Sequence, residues 1–292
     1  MKSFVDVDEG CCFGFSVGNI YPMSTREVYP NAPIVLVAIE VRYPMCEPLE
    51  RSQIITVSWL VRETLPIPSE VHEFAVEYQA NPGSQPVQSQ IMNTYPRWSS
   101  RDKRTALTIR QDALVIETTL YEGYEQIRTL LELALNVRIA VAIPAGVERI
   151  GLRYIDEIRV PSGPGGNQPS WQDWIMPELL GPTHIAKDLG LVPTGNEGLA
   201  IFSGKDSKTL VLRYGAQDDY AVRSTPDLRR PLPPPGPLFR LDIDSFWQPV
   251  DEVPEFDEEG ILAYADQLHE PVRGVFESVI SERLRDEVLR HV

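Results

Sequence analysis

The stretch that most constrains the fold lies near the middle of the chain, Glu148-Arg149-Ile150-Gly151-Leu152-Arg153-Tyr154-Ile155-Asp156-Glu157-Ile158. Ile150, Leu152, Tyr154 and Ile158 recur at period two, while Arg149, Arg153 and Glu157 fall on the opposite side. A helix would scatter the two sets around its axis; a strand separates them. The segment therefore predicts a half-buried strand with a charged outer row. Such a strand needs neighbours along both edges and cover over its apolar side, which implies a sheet with helices packed on it.

The rest of the chain supplies those parts. Pro33 to Pro44 is β-branched and bounded by prolines, and reads as a first strand buried on both faces for much of its length. From Glu47 to Thr64, Ile54 to Val57 favour a strand, whereas Leu49, Val57, Leu60 and Val61 permit a helical stripe; helix is the preferred reading. Val71 to Tyr78 reads as a strand, and Arg104 to Thr119 as a hairpin turning at Gln111-Asp112. A helix follows from Tyr121, with Tyr124, Ile127, Leu131, Ala134 and Leu135 on one face, fraying from Asn136 and ending by Pro144-Ala145-Gly146.

Beyond the central strand, Gly163 to Pro169 reads as a flexible crossing and Trp171 to Leu180 as a short apolar helix broken by Pro177. Residues 197 to 203 and 207 to 215 form a second predicted hairpin. Pro231 to Pro237 cannot enter a sheet interior and predicts an extended surface loop, a stiff linker or an SH3-type ligand. Leu238 to Asp244 returns to strand, and an acidic run from Asp251 to Glu259 leads into a helix with Ile261, Ala265, Leu268, Val272, Val275 and Val279 on one stripe. Pro271 inside that stripe predicts a kink or two helices.

The dipeptide Arg-Tyr recurs at Arg42-Tyr43, Arg153-Tyr154 and Arg213-Tyr214, and each half ends in a strand and a long amphipathic helix. The fold class is accordingly read as α+β, with two related lobes that are each an antiparallel sheet covered by amphipathic helices. An irregular arm over 1–30 precedes a first lobe at 31–161, a linker with a short helix at 162–195 and a second lobe at 196–292. A single sheet shared by both halves is the open alternative.

With 292 residues, 42% of them hydrophobic, the chain can bury a sizeable core. Its net charge of −15 repels phosphate at long range, so nucleic acid and anionic membrane are disfavoured and a basic protein partner or a homodimer is expected. Cys11, Cys12 and Cys46 form no metal or disulfide pattern, and the acidic start Met1 to Glu9 does not read as a signal peptide, which places the protein in the cytoplasm.

No nucleophile motif or phosphate loop is present, and no cofactor is expected. His72, His184, His269 and His291 are too scattered for a metal signature. Asp242 and Asp244 share a strand face and are the candidates for holding a hard cation, or simply an outward polar row. Arg97 to Arg104 is the one basic patch with an aromatic, either a nucleic-acid contact or a solvated hairpin base. The binding candidates are Arg153, Tyr154, Asp156 and Arg213: an outward arginine can grip a carboxylate or phosphate through two parallel bonds, or pair with Glu40, Glu117 or Glu157.

Pro30-Asn31-Ala32-Pro33-Ile34, Glu40 to Pro44, Trp98, Tyr121 to Glu125, Gly151 to Ile158, Leu268-His269 and Phe276-Glu277 together resemble an uncharacterised, sporadically distributed bacterial protein family. The likeness covers residues 30 to 290, with Gly-Leu-Arg-Tyr-Ile its most specific part; Asp156 stands where that family commonly has asparagine. The family carries no activity to transfer. Its distribution implies a toxin-neutralising or phage-defence role by association, so the expected function is that of an interaction or regulatory protein. The alternative is a nucleotide- or RNA-binding enzyme or sensor with its cleft between the lobes.

Overall fold

The structure, a computed structural model, describes residues 27–291 apart from 80–86, 164–168, 186–188, 192 and 194. Most of the predicted arm, with Cys11 and Cys12, and most of the Gly163–Pro169 crossing lie outside the described residues. The strands are β1 (Ile34–Arg42), β2 (Ile67–Gln79), β3 (Val87–Ser99), β4 (Thr105–Ile109), β5 (Ala113–Thr118), β6 (Arg149–Ile158), β7 (Asn196–Ser203), β8 (Lys208–Gln217) and β9 (Leu238–Trp247). The helices are α1 (Arg51–Leu60), α2 (Tyr124–Val141), α3 (Glu258–Val279) and α4 (Glu282–Leu284), the last continued by a π turn over Arg285–Leu289.

All nine strands form one antiparallel sheet in the order β2-β3-β4-β5-β1-β6-β9-β8-β7. β6 occupies an interior lane between β1 and β9, as its two-sided pattern requires. The halves thus share one sheet, joined where β6 of the first pairs with β9 of the second, from Ile150–Trp247 to Ile158–Phe239. Outward from β1 the order is β5, β4, β3, β2, and outward from β6 it is β9, β8, β7, so the two sides differ by one strand. The Arg213-Tyr214 dipeptide sits on β8, next to the sheet edge, whereas Arg42 and Arg153 sit on the central strands β1 and β6, so it does not mark the same place as the other two.

One face of the sheet is covered. Ile39, Val41, Leu107, Leu114, Ile150, Leu152, Phe239 and Ile243 pack there against Ile127, Leu131 and Leu135 of α2 and Ile261, Ala265 and Leu268 of α3, all fully or nearly fully buried. Burying side chains of this size contributes about 1.5–3 kcal/mol each, which is why the helical stripes and the strand alternation must agree.

Several elements depart from expectation. α2 runs to Val141 because its last turns are tied to the core: the buried Arg138 guanidinium lies 4.9 Å from the Tyr43 ring, and Asn136, expected to fray the helix, donates to Glu258 Oε1 at 2.9 Å. α3 runs through Pro271 as one element, with buried Leu268 and Val272 on either side of the proline. The segment from Trp171 folds as short 3-10 turns, Trp171–Asp173 and Pro177–Leu179, in place of a helix. β3 had no expectation attached to it; Trp98 anchors it, buried and donating from Nε1 to Ser58 Oγ of α1 at 2.8 Å.

Candidate functional site

The alternation of β6 divides the sequence candidates between two surfaces. Arg153 points to the uncovered face, Tyr154 and Asp156 to the helix-covered face, and Arg213 to the uncovered face two strands away. The four do not converge on one site; only Arg153 and Arg213 come near one another, on either side of Asp242, which Arg153 grips and Arg213 faces across the β8–β9 ladder.

On the uncovered face the cations are engaged by carboxylates. Arg153 donates from Nε and Nη2 to the two oxygens of Asp242 at 2.7 Å each, and this raises its pKa. Arg149 bridges Glu40 at 3.0 Å and Asp244 at 3.2 Å, and its guanidinium lies 4.5 Å from the Phe246 ring. Gly151 makes that reach possible: a Cβ there would lie 2.3 Å from Arg149 Nη1, so only a glycine leaves the arginine its path across the strand. Asp242 and Asp244 therefore serve as counter-ions, and among the described residues no group of three or more His, Cys, Asp or Glu side chains could hold a metal. The Arg213 side chain makes no hydrogen bond or ion pair among the described residues.

Beneath the helices, Tyr154 Oη lies 3.1 Å from His269 Nδ1, and the His269 ring stacks on Tyr124 with centroids 3.9 Å apart. Tyr124 donates to Asp266 at 2.8 Å, and Tyr121 meets Tyr154 edge to face. Burial raises the pKa of Tyr121, Tyr124 and Tyr154. Asp156 shares this face; burial, and then the charge of Asp242 on the next strand, push its pKa up to about 8. Its Oδ1 has no hydrogen-bond partner among the described residues. The cluster is a packed polar layer between β6, α2 and α3.

Glu157, the next residue, emerges on the other face and closes one end of the sheet. Its Oε2 accepts from Arg230 Nη2 at 2.6 Å and Ala221 N at 2.9 Å, and its Oε1 from Arg159 Nε at 2.8 Å. These bonds pin the strap formed by residues 218–237. Farther along, Thr119 Oγ1 donates to Arg229 O at 2.5 Å and Lys103 Nζ to Pro226 O at 2.8 Å. The proline-rich loop belongs to this strap, with Pro233 O accepting from Tyr220 Oη. The basic patch at 97–104 is dispersed by the same contacts: Arg97 is buried on Thr108 and Glu117, and Arg104 caps Thr119 O.

The opposite end, where β6 begins and β9 ends, is left bare. Val250 and Val253 are 81% and 51% exposed, and Ile143, close before β6, is 65% exposed. Asp251, Glu252 and Glu255 stand among them, exposed and without a side-chain ion pair or hydrogen bond among the described residues. The loop that carries them is fixed at its base. Val147 N donates to Pro254 O at 2.9 Å, Phe256 is buried edge-on against Tyr43, and Asp257 caps α3 by accepting from Gly260 N. Rigidly presented aliphatic side chains ringed by unpaired carboxylates suit a partner that brings both apolar area and positive charge.

Two grooves among the described residues do not gather the candidate arginines. One, of about 410 Å³, is lined by Thr64, Ser100, Thr105, Glu125, Gln126, Thr129 and Leu130; the other lies beside β7. No helix among the described residues is long and apolar enough to cross a membrane. The chain matches no protein-family model, no curated protein and no solved structure. Sequence reasoning passed over Val250 and Val253; the available signal was aliphatic residues isolated within an acidic run, where burial offers no explanation for them.

Proposed function

We propose that the protein is a non-catalytic interaction protein that binds a basic partner protein through the Val250–Glu255 surface. The observation that carries this reading is the pairing of exposed Val250 and Val253 with unpaired Asp251, Glu252 and Glu255 on a loop pinned at Pro254 and Phe256. A toxin or other defence-system component with a cationic surface fits that chemistry, and a cytoplasmic setting accords with it. The enzyme or sensor reading needs a cleft in which Arg153, Arg213 and Asp242 converge; the bidentate Arg153–Asp242 pair weighs against it.

The test is capture from the native host on tagged protein, comparing wild type with an Asp251→Lys/Glu252→Lys/Glu255→Lys variant and a Val253→Asp variant. A partner retained at low salt by wild type and lost by both folded variants is the expected outcome. Equal retention by all three would overturn the assignment of the surface, and saturable binding of a nucleotide or RNA to wild type would replace the function itself.

A further inference from the structure

The two edges of the sheet are built differently. β2 carries Pro68, Glu70, Glu73 and Glu77, residue types that keep an edge strand from pairing. β7, at the far edge, runs Leu199-Ala200-Ile201-Phe202 with neither proline nor charge among them. Leu199, Ile201 and Phe202 are 59%, 63% and 52% exposed.

The backbone parity of β7 is fixed by its hairpin. Gly204 N donates to Lys208 O, so alternate residues Phe202, Ala200 and Gly198 bond towards β8. Ser203, Ile201, Leu199 and Glu197 consequently turn their N–H and C=O groups to the open edge. On the helix side, the second groove, of about 520 Å³, opens beside the same strand and is lined by Leu179, Ala200, Phe202, Leu212, Tyr214 and Val275.

We propose that β7 pairs antiparallel with β7 of a second copy of this chain, about a two-fold axis at Ile201. In that register every outward-bonding residue meets another: Ile201 faces its own counterpart, Leu199 faces Ser203, and Glu197 faces Lys205 of the second copy. Glu197, which accepts from Arg240 Nη2 of its own chain at 3.0 Å through one oxygen while its side chain stays 78% exposed, and the exposed Lys205 make the edge self-complementary in charge, twice over by symmetry, which selects a second copy over an unrelated strand. Phe202 then falls opposite Ala200 of the second copy and lies over the mouth of its groove. The two sheets continue into one, with all helices on the same side.

The experiment is sedimentation velocity with light scattering on the full chain over roughly two decades of micromolar concentration. Wild type is expected to dimerise. Ile201→Lys, which sets two like charges face to face, should raise the dissociation constant at least about 100-fold, and Leu199→Lys should weaken the dimer through a second outward position. Unchanged circular dichroism melting confirms that each variant folds. Glu197→Lys should weaken dimerisation severalfold, and adding Lys205→Glu should restore it. A monomeric wild type, a dimer indifferent to both lysines, or a double charge swap no tighter than the single one would overturn the proposal.

Discussion

The two ends of the central strand treat their carboxylates in opposite ways. At the end of β6, Glu157 is buried and spent on the protein's own cations: Arg159, Arg230 and the Ala221 amide hold it, and with it the strap over residues 218–237. Around the beginning of β6, Asp251, Glu252 and Glu255 are exposed and their side chains bind nothing among the described residues, though the backbone beneath them is firmly anchored. The first arrangement closes a sheet end from within. The second leaves charge and apolar area available to another molecule, and the contrast is what distinguishes a structural carboxylate from one available for recognition.

The largest effect that could break this comparison is at Glu157. Glu157→Gln leaves two arginines facing a neutral amide in a site where the carboxylate and Arg230 are each almost fully buried, and should cost about 3–5 kcal/mol in urea unfolding. Limited proteolysis within 218–237 should accelerate as the strap loosens. An unchanged unfolding midpoint would mean that the strap is held by its other contacts.

A smaller effect of opposite sign is expected one residue earlier. Asp156 holds its proton up to about pH 8 in the folded protein, whereas the unfolded chain releases it near the ordinary value of 3.8. Stability linked to this group is fully present below pH 3.8 and is lost as pH rises towards 8. Asp156→Asn removes the loss, so the variant should match wild type near pH 4 and exceed it by about 2–4 kcal/mol at pH 8. A gap that does not widen between those values would show that the carboxyl has a partner or solvent.

The smallest stability effect belongs to the bare end. Asp251→Lys/Glu252→Lys/Glu255→Lys should shift unfolding by no more than about 0.5 kcal/mol per site, because no side-chain partner among the described residues is lost. A large loss would place these carboxylates with Glu157 and erase the distinction.

Much of the architecture was legible because it rests on periodicity. The alternation of Ile150, Leu152 and Tyr154 against Arg149 and Arg153 placed β6 inside a sheet, and the turn at Gln111-Asp112 placed β4 and β5. Joining the halves into one sheet depends on β6 pairing with β9 across the whole intervening stretch from Arg159 to Pro237, which no local pattern encodes. The site was less legible for a related reason. Arg153 and Asp156 are close in sequence, but the odd spacing between them sends one outward and the other inward, so a shared motif became two separate environments. Glu157 looked like part of a charged outer row; only the return of Arg230 from a distant loop makes it a buried anchor.

The most direct test is site-specific photo-crosslinking in the native host, with a photoreactive residue placed at Val253 in one strain and at Asp227 of the strap in another. A discrete protein adduct at Val253 and none at Asp227 is the predicted result. An adduct at Asp227 with Val253 silent would contradict the account, because the end closed by its own ion pairs would then be the one that meets a partner.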